Sequence, residues 1–276
     1  METKSSEVDL EELPEGCIAN ILSFTTPLDA CKLSVVSKTF RSAADSDDLW
    51  DKLLPSDYHS IISRSSSFSS SSSSLISSKK QLYFHLCHNP ILIDDSKKSF
   101  WLEKRSGKKC YMIGARDLMI AWGGTHLFWQ WKYHIGSRFP EVAELRFVWR
   151  LEICGKIDTS MLSPETSYVT YLVFRLREDA AGLDSYATEV SIGIVGGEKH
   201  KASICLMPEV DQRQSRSCVG LLCPKRRQDL WLEIEIGEYL NRIGEDGELE
   251  MSLLEMNAPK TGLIVQGIEI RPKFIE

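Results

Sequence analysis

The stretch "LWLEIEI", residues 230–236, decides the fold of the larger part of this chain. Leu232, Ile234 and Ile236 alternate with Glu233 and Glu235. Successive strand side chains point to opposite faces, so the run has one apolar and one acidic face and reads as a half-buried strand. Similar short runs surround it: "RFVWRLEICGKI" (146–157), "YVTYLVFRL" (168–176), "EVSIGIVGG" (189–197), "ASICLM" (202–207), "ELEMSLL" (248–254) and "GLIVQGIEI" (262–270). Gly, Pro, Asp and Asn punctuate them as turns. No helix of useful length separates these runs, which disfavours a parallel βαβ sheet. The pattern predicts a mostly antiparallel, jelly-roll-like β-sandwich.

Working toward the N-terminus, the period changes. Pro14 suits a first helical turn, and Ile18, Ile21 and Leu22 follow at helical spacing. "TTPLDA" restarts a helix at Pro27, with Leu33, Val36, Phe40 and Ala43 on one stripe, and "DDLWDKLL" makes a short third helix with acidic residues in its first turn. Residues 63–78 are serine at twelve of sixteen positions, a composition that cannot bury enough apolar surface to offset its ordering entropy. The expected organisation is therefore α+β and multidomain: an acidic tail at 1–9, a small three-helix domain at 10–55, a flexible serine-rich linker at 56–80, a connecting helix and loop at 81–96, and the sandwich at 97–276.

Composition narrows the function. The 276 residues carry a formal net charge of −6, which argues against a chain whose main task is to hold nucleic acid. No run is long and apolar enough for a membrane helix, and "METKSSEVDLEE" lacks the apolar core of a secretory signal. Cytoplasm and nucleus are the expected locations. The eight cysteines show no CxxC spacing and no histidine pair completes a zinc site, so they read as reduced, mostly buried thiols, with no metal or cofactor implied. G-x-S-x-G, P-loop, G-x-G-x-x-G and H-E-x-x-H motifs are all missing, and the six histidines sit beside no obvious nucleophile. The chain is expected to be non-catalytic.

Two resemblances add to this reading. "LPEGCIANILSFTTPLDACKLSVVSKTFRSAADSDDLW", residues 13–50, resembles the F-box: Leu13-Pro14-Glu15 opens it, Pro27-Leu28-Asp29 and Val36-Ser37-Lys38 follow, and Leu49-Trp50 closes it. Phe40 stands where many members have Trp. The resemblance implies docking on the Skp adaptor and, through it, a cullin-RING ubiquitin ligase. Leu13, Pro14, Ile18, Ile21, Leu22, Leu28, Val36, Phe40 and Trp50 are the adaptor-binding candidates.

Farther along, "GARDLMIAW", "EVAELRFVWRLEICGKI", "TSYVTYLVFRL", "DLWLEIEIGEYLNRIGEDGELEMSLLEMN" and "GLIVQGIEIRPK" are similar, in this order over 114–273, to the phloem-protein-two (Nictaba-like) lectins. "KSFWLEKRSGKKCYMI" resembles the extension of the members that also carry an F-box. The family's sugar site of two Trp and two Glu falls here on Trp122, Trp129, Glu248 and Glu255. Indole faces pack on the apolar face of a pyranose and carboxylates accept its hydroxyls.

Both spacings, however, are seven, which puts each pair on opposite faces of an unbroken strand. Convergence requires "GGTH" to reverse the chain and Glu248 to sit in a turn. Whether Trp122 and Trp129 form a platform or belong to the core stays open, while Trp131 and Trp149 are assigned to the core. The resemblances imply a ligase substrate receptor whose sandwich captures a protein or a glycoprotein bearing GlcNAc-containing or high-mannose glycans. The alternative is a cytosolic or nuclear lectin acting without the ligase.

Overall fold

The structure is a computed structural model, and it describes residues 13–66, 68, 76–208 and 218–273. The expected acidic tail and the middle of the serine tract lie outside the described residues. Two units emerge: residues through Ile91 together with Trp101–Lys108, and Leu92–Phe100 together with Lys109 onward. The boundary expected at residue 97 is thus crossed more than once, and 101–108 group with the helices.

The first unit holds α1 (Glu15–Leu22), α2 (Pro27–Leu33), α3 (Lys38–Asp45), α4 (Asp47–Leu53), α5 (Tyr58–Ser63) and α6 (Lys79–His88). Their starts are encoded locally. The Thr26 hydroxyl accepts from Asp29 N–H at 3.1 Å, Ser37 accepts from Phe40 N–H at 3.3 Å, and Ser78 accepts from Gln81 N–H at 3.2 Å. Each bond satisfies a donor that the first helical turn leaves unpaired.

The Ser37 cap also corrects the single stripe expected from Leu33 to Ala43. Ser37 is extended, with φ −149°, so α2 ends and α3 begins anew. Ala43 is buried, Leu33 and Phe40 are half-buried, and Val36 is exposed. The second of the three expected helices is therefore two. A further departure is α5, which occupies part of the expected linker and buries Tyr58 and Ile61.

The core of this unit is built on Trp50, which is fully buried. Its Nε1–H donates to Ala44 O at 2.8 Å, and its ring lies 5.0 Å from that of Tyr83 and 5.4 Å from that of Phe84 on α6. Ile18, Leu22, Ala30, Ala43 and Leu49 complete it.

The second unit is built on strands, with Ile91 of β1 and the last two residues of β2 grouping with the first unit: β1 (Ile91–Ile93), β2 (Lys98–Leu102), β3 (Lys109–Gly114), β4 (Met119–Ile120), β5 (Trp129–Lys132), β6 (Val142–Leu145) and β7 (Leu151–Asp158). After these come β8 (Thr166–Ala181), β9 (Thr188–Ile194), β10 (Lys199–Ile204), β11 (Lys225–Arg226), β12 (Leu232–Asn241), β13 (Glu248–Glu255) and β14 (Thr261–Pro272). The nine-stranded sheet runs β1-β2-β3-β14-β8-β12-β11, with β6 also on β14 and β5 on β6, and the five-stranded sheet runs β10-β9-β13-β7-β4. The long central strands pair antiparallel, as the absence of crossover helices requires.

The sheets face each other closely at Gly155 on β7. A Cβ there would stand 2.9 Å from Leu118 Cδ2 and 3.0 Å from Ile268 Cδ1, so a larger residue would require those side-chain tips to shift. Leu151, Ile153 and Ile157 on β7 and Leu249, Met251 and Leu253 on β13 alternate into this core. The outer face of the larger sheet carries a charged network instead. Glu269 on β14 is buried beneath Arg227 (3.1 Å), Arg271 (2.9 Å) and Arg138 (3.4 Å), while Arg227 and Arg271 also bind Glu233 at 2.8 and 2.7 Å. Burial alone would raise the Glu269 carboxyl, but the arginines outweigh it and hold the group below its ordinary value.

Candidate functional site

Two surfaces carry features that the cores do not explain. On the helical unit, α1 has two apolar faces. Ile18 and Leu22 point inward and are fully buried. Pro14, Cys17 and Ile21 point outward at spacings of three and four, and Phe24 in the turn after α1 extends the row. Ile21 is 44% exposed and Phe24 83%. The α2–α3 turn adds exposed Val35 and Val36.

This sorts the adaptor-binding candidates. Pro14, Ile21 and Val36 are available at the surface, and Leu13, Leu28 and Phe40 are half-buried. Ile18, Leu22 and Trp50 are withdrawn as contacts, because they form the unit's own core. Phe24 and Val35 escaped sequence reasoning. The signal for Phe24 was the outward row Pro14–Cys17–Ile21 continued by one more step.

On the sandwich, the four residues expected to hold sugar do not converge. The chain between β4 and β5 crosses from the five-stranded to the nine-stranded sheet, so Trp122 and Trp129 end in different places. Trp129 begins β5 opposite Leu145 and is fully buried, which removes it as a stacking face. Trp122 is 59% exposed and has φ +64°, in a turn closed by Gly123 N–H to Ile120 O at 2.9 Å. A left-handed backbone at a bulky residue costs about 1–3 kcal/mol and persists only where its surroundings over-determine it.

Those surroundings are specific. Ala121 N–H donates to Glu152 O at 3.0 Å, the Trp129 indole N–H donates to Ala121 O at 3.0 Å, and the Trp131 indole N–H donates to Gly123 O at 2.9 Å. The two indoles thus tie the carbonyls on either side of Trp122.

The glutamates part in the same way. They open and close the unbroken strand β13, where Glu248 pairs with Asp158 and Glu255 with Leu151 on β7. Seven strand residues separate them by about 23 Å. Glu248 is exposed and ion-paired to Lys156 at 2.8 Å. Glu255 continues the inward row after Leu253 and is buried against the Lys260 ammonium, with Asn257 N–H on its other oxygen. Lys260 also donates to Trp149 O at 2.7 Å and to Ala258 O. Burial lowers the Lys260 ammonium to about 8.

The expected core tryptophans also need revision. Trp131 is only half-buried, under the Arg116 guanidinium at 3.9 Å, and Trp149 is 58% exposed. Trp149 sits in the bend between Val148, bonded to Lys260, and the start of β7, so strand parity does not govern it.

Family comparison agrees with both halves. The Phloem protein 2 family matches residues 108–272 and the F-box domain matches residues 10–52. The chain belongs to the F-box proteins that carry a phloem protein 2 domain. It is 48% identical to F-box protein At2g02240 of Arabidopsis thaliana over 94% of this chain and 79% of that one. With F-box protein PP2-B10 of the same plant the identity is 46%, over 99% and 97%. Among solved structures, the family 35 carbohydrate binding module from Clostridium thermocellum aligns with 59% of this chain and 98% of its own, at 10% identity and a TM-score of 0.31, too distant to bear on function.

Proposed function

We propose that this chain is the substrate-recognition subunit of an SCF-type cullin-RING ubiquitin ligase, acting in the cytoplasm and nucleus. The F-box docks a Skp-type adaptor, and the sandwich captures a glycoprotein so that its lysines are presented for ubiquitin transfer. The chain breaks no bond itself.

The observation that carries the reading is the double face of α1. A helical unit with a closed core on one side of α1 leaves Pro14, Ile21 and Phe24 uncovered on the other, and Val36 is exposed in the α2–α3 turn. Exposed aliphatic and aromatic residues at helical spacing suit a groove between helices of a partner.

The test is co-purification of the full chain with the Skp adaptor and cullin, beside an Ile21→Asp/Phe24→Asp variant. The wild type is expected to recover both proteins and the variant neither, with unchanged helical circular dichroism. Adaptor recovery by the folded variant would sink the assignment of this face.

A further inference from the structure

We propose that the cavity at the meeting of β8, β11 and β12 binds a peptide segment of the captured protein. Arg175 and Arg226 grip one oxyanion of that segment, a carboxylate or a phosphate, beside a bed for an aliphatic side chain. The proposal rests on the reading of the sandwich as the part that captures a substrate, and it adds a contact with polypeptide rather than with glycan.

The cavity has a volume of about 640 Å³, and Arg175, Arg226, Leu230, Leu232 and Met207 all line it. Strand pairing brings them together. Arg226 on β11 stands opposite Leu232 on β12, and Leu232 stands opposite Phe174 on β8, one residue before Arg175. Neighbouring strands lie about 4.8 Å apart, so the Arg226 and Phe174 backbones are about 10 Å apart, a span within reach of two arginine side chains.

The arginines of the cavity differ in how far their donors are spent. Arg177 also lines it but is committed, with Nε donating to Asp179 at 2.7 Å and Nη1 to Glu144 at 3.1 Å. Arg226 is exposed and has no hydrogen bond or ion pair among the described residues. Arg175 is half-buried, with its guanidinium 4.7 Å from the centre of the Trp231 ring. Its Nη2 donates to Asp229 O at 3.1 Å, while its Nε is buried with no hydrogen-bond partner. Trp231 is itself pinned, because its indole N–H donates to Gly136 O at 3.0 Å. An unpaired N–H away from water is costly. A guanidinium stacked on a fixed ring holds its remaining donors in a fork that matches the paired oxygens of a carboxylate or phosphate.

Leu230 supplies the apolar half. It is 63% exposed and has φ +66°. The turn that imposes this conformation is closed from several sides. Arg227 N–H donates to Trp231 O at 2.8 Å, Leu230 N–H to Arg227 O at 3.2 Å, and Trp231 N–H to the Asp229 carboxylate at 3.1 Å. Bulky residues held at positive φ cluster at sites that clamp ligands. Charge then selects the ligand. Glu178 and Asp184 line the same cavity and, unlike Asp179, have no cationic partner among the described residues. They would repel a polyanion such as a nucleic acid, so the segment that fits carries a single acidic group next to an aliphatic residue.

The experiment probes the full chain with an array of unglycosylated peptides. Their central residue is glutamate, phosphoserine or glutamine, their flanks are randomised, and the best binders are titrated by fluorescence anisotropy. Acidic centres with Leu, Ile or Met beside them are expected to bind, and their glutamine counterparts about ten-fold or more weakly. Preference for phosphoserine assigns the oxyanion to a phosphate and preference for glutamate to a carboxylate, and both support the site. Arg175→Gln and Arg226→Gln are each expected to weaken binding about ten-fold or more. Arg226→Gln should leave the melting temperature unmoved, since the exposed side chain has no partner to lose. Arg226→Glu is expected to lose the acidic peptides and to bind those with lysine in place of the acid, a reversal that a purely structural arginine would not give.

Full affinity in folded Arg226→Gln, equal binding of glutamine-centred peptides, or displacement of the peptide by a single-stranded oligonucleotide overturns the proposal. So does a well-folded wild type that binds no peptide. The peptides carry no sugar, and adaptor recovery is read separately. A chain that binds them but recovers no adaptor therefore loses the ligase role and keeps the cavity, whereas the opposite pair of results leaves the ligase role standing without it.

Discussion

The helical unit and the sandwich solve the burial problem in opposite ways. The helices close one side around Trp50, Ile18 and Leu22 and leave an aliphatic and aromatic row on the other. The sandwich buries its strands between two sheets and neutralises charge within its outer face, as at Glu269, leaving Trp122 and Trp149 exposed. An uncovered row along a helix suits a protein groove. The uncovered apolar surface is thus distributed differently in the two units.

That contrast can be broken at several levels of severity. The largest effect is expected for Trp50→Ala, which leaves a cavity under α6 and removes the bond to Ala44. About 3–5 kcal/mol of helical stability should be lost, read as loss of the helical signal while the strand signal remains. Coincident loss of both would mean that the sandwich depends on this core.

Next comes Glu269→Gln, which leaves its arginines without a buried carboxylate and is expected to destabilise the sandwich by about 3 kcal/mol. Because Glu269 is held below its ordinary value, its contribution is present above the unfolded carboxylate range near pH 4.5 and fades as pH falls through the folded value. Denaturant melts from pH 6 to 3 should show an acid limb in the wild type that is shallower in the variant.

For the outward row, a single Phe24→Ala is expected to weaken adaptor binding by about 2 kcal/mol. Its effect on unfolding should stay within about 0.5 kcal/mol, since an exposed side chain supports no core. Equal losses in both measurements would make Phe24 structural and erase the distinction between the two faces of α1.

The smallest effect belongs to Glu248→Ala. Its ion pair with Lys156 is exposed, and such pairs contribute little to stability and are screened by salt. Glycan affinity should be unchanged. A ten-fold loss would return Glu248 to the site.

Much of this was legible in the residues. The alternating runs foretold the sheets because strand parity is local, and Pro27 and the acidic pair Asp47-Asp48 marked two helix starts because their preferences act within one turn. Strand parity also foretold that Glu248 and Glu255 would separate once β13 proved unbroken.

What stayed hidden depends on where a strand begins in space. Trp149 looks like part of "RFVWRLEI", yet β7 starts only at Leu151, after a bend held by Lys260 from far along the chain. Trp129 looks like a neighbour of Trp122, but pairing with Leu145 draws it into the other sheet. Neither partner is near in sequence, so no local pattern announces it. Phe24 is hidden for the opposite reason, since a stray aromatic in a turn means little until the outward face of α1 is seen.

The short segment 101–108 has a consequence for how such proteins can be rebuilt by gene rearrangement. Within the helical unit, Arg105 O accepts from Leu28 N–H at 3.3 Å, and the Tyr83 hydroxyl donates to Glu103 O and Lys104 O at 3.2 and 3.1 Å. The chain therefore leaves the helices and returns to them before the sandwich is complete. A shuffled F-box joined at one junction to a foreign receptor would lack these eight residues, and a transplanted sandwich would carry them without their companions. A graft made at a single junction is expected to lose the bonds that Leu28 and Tyr83 make to this segment.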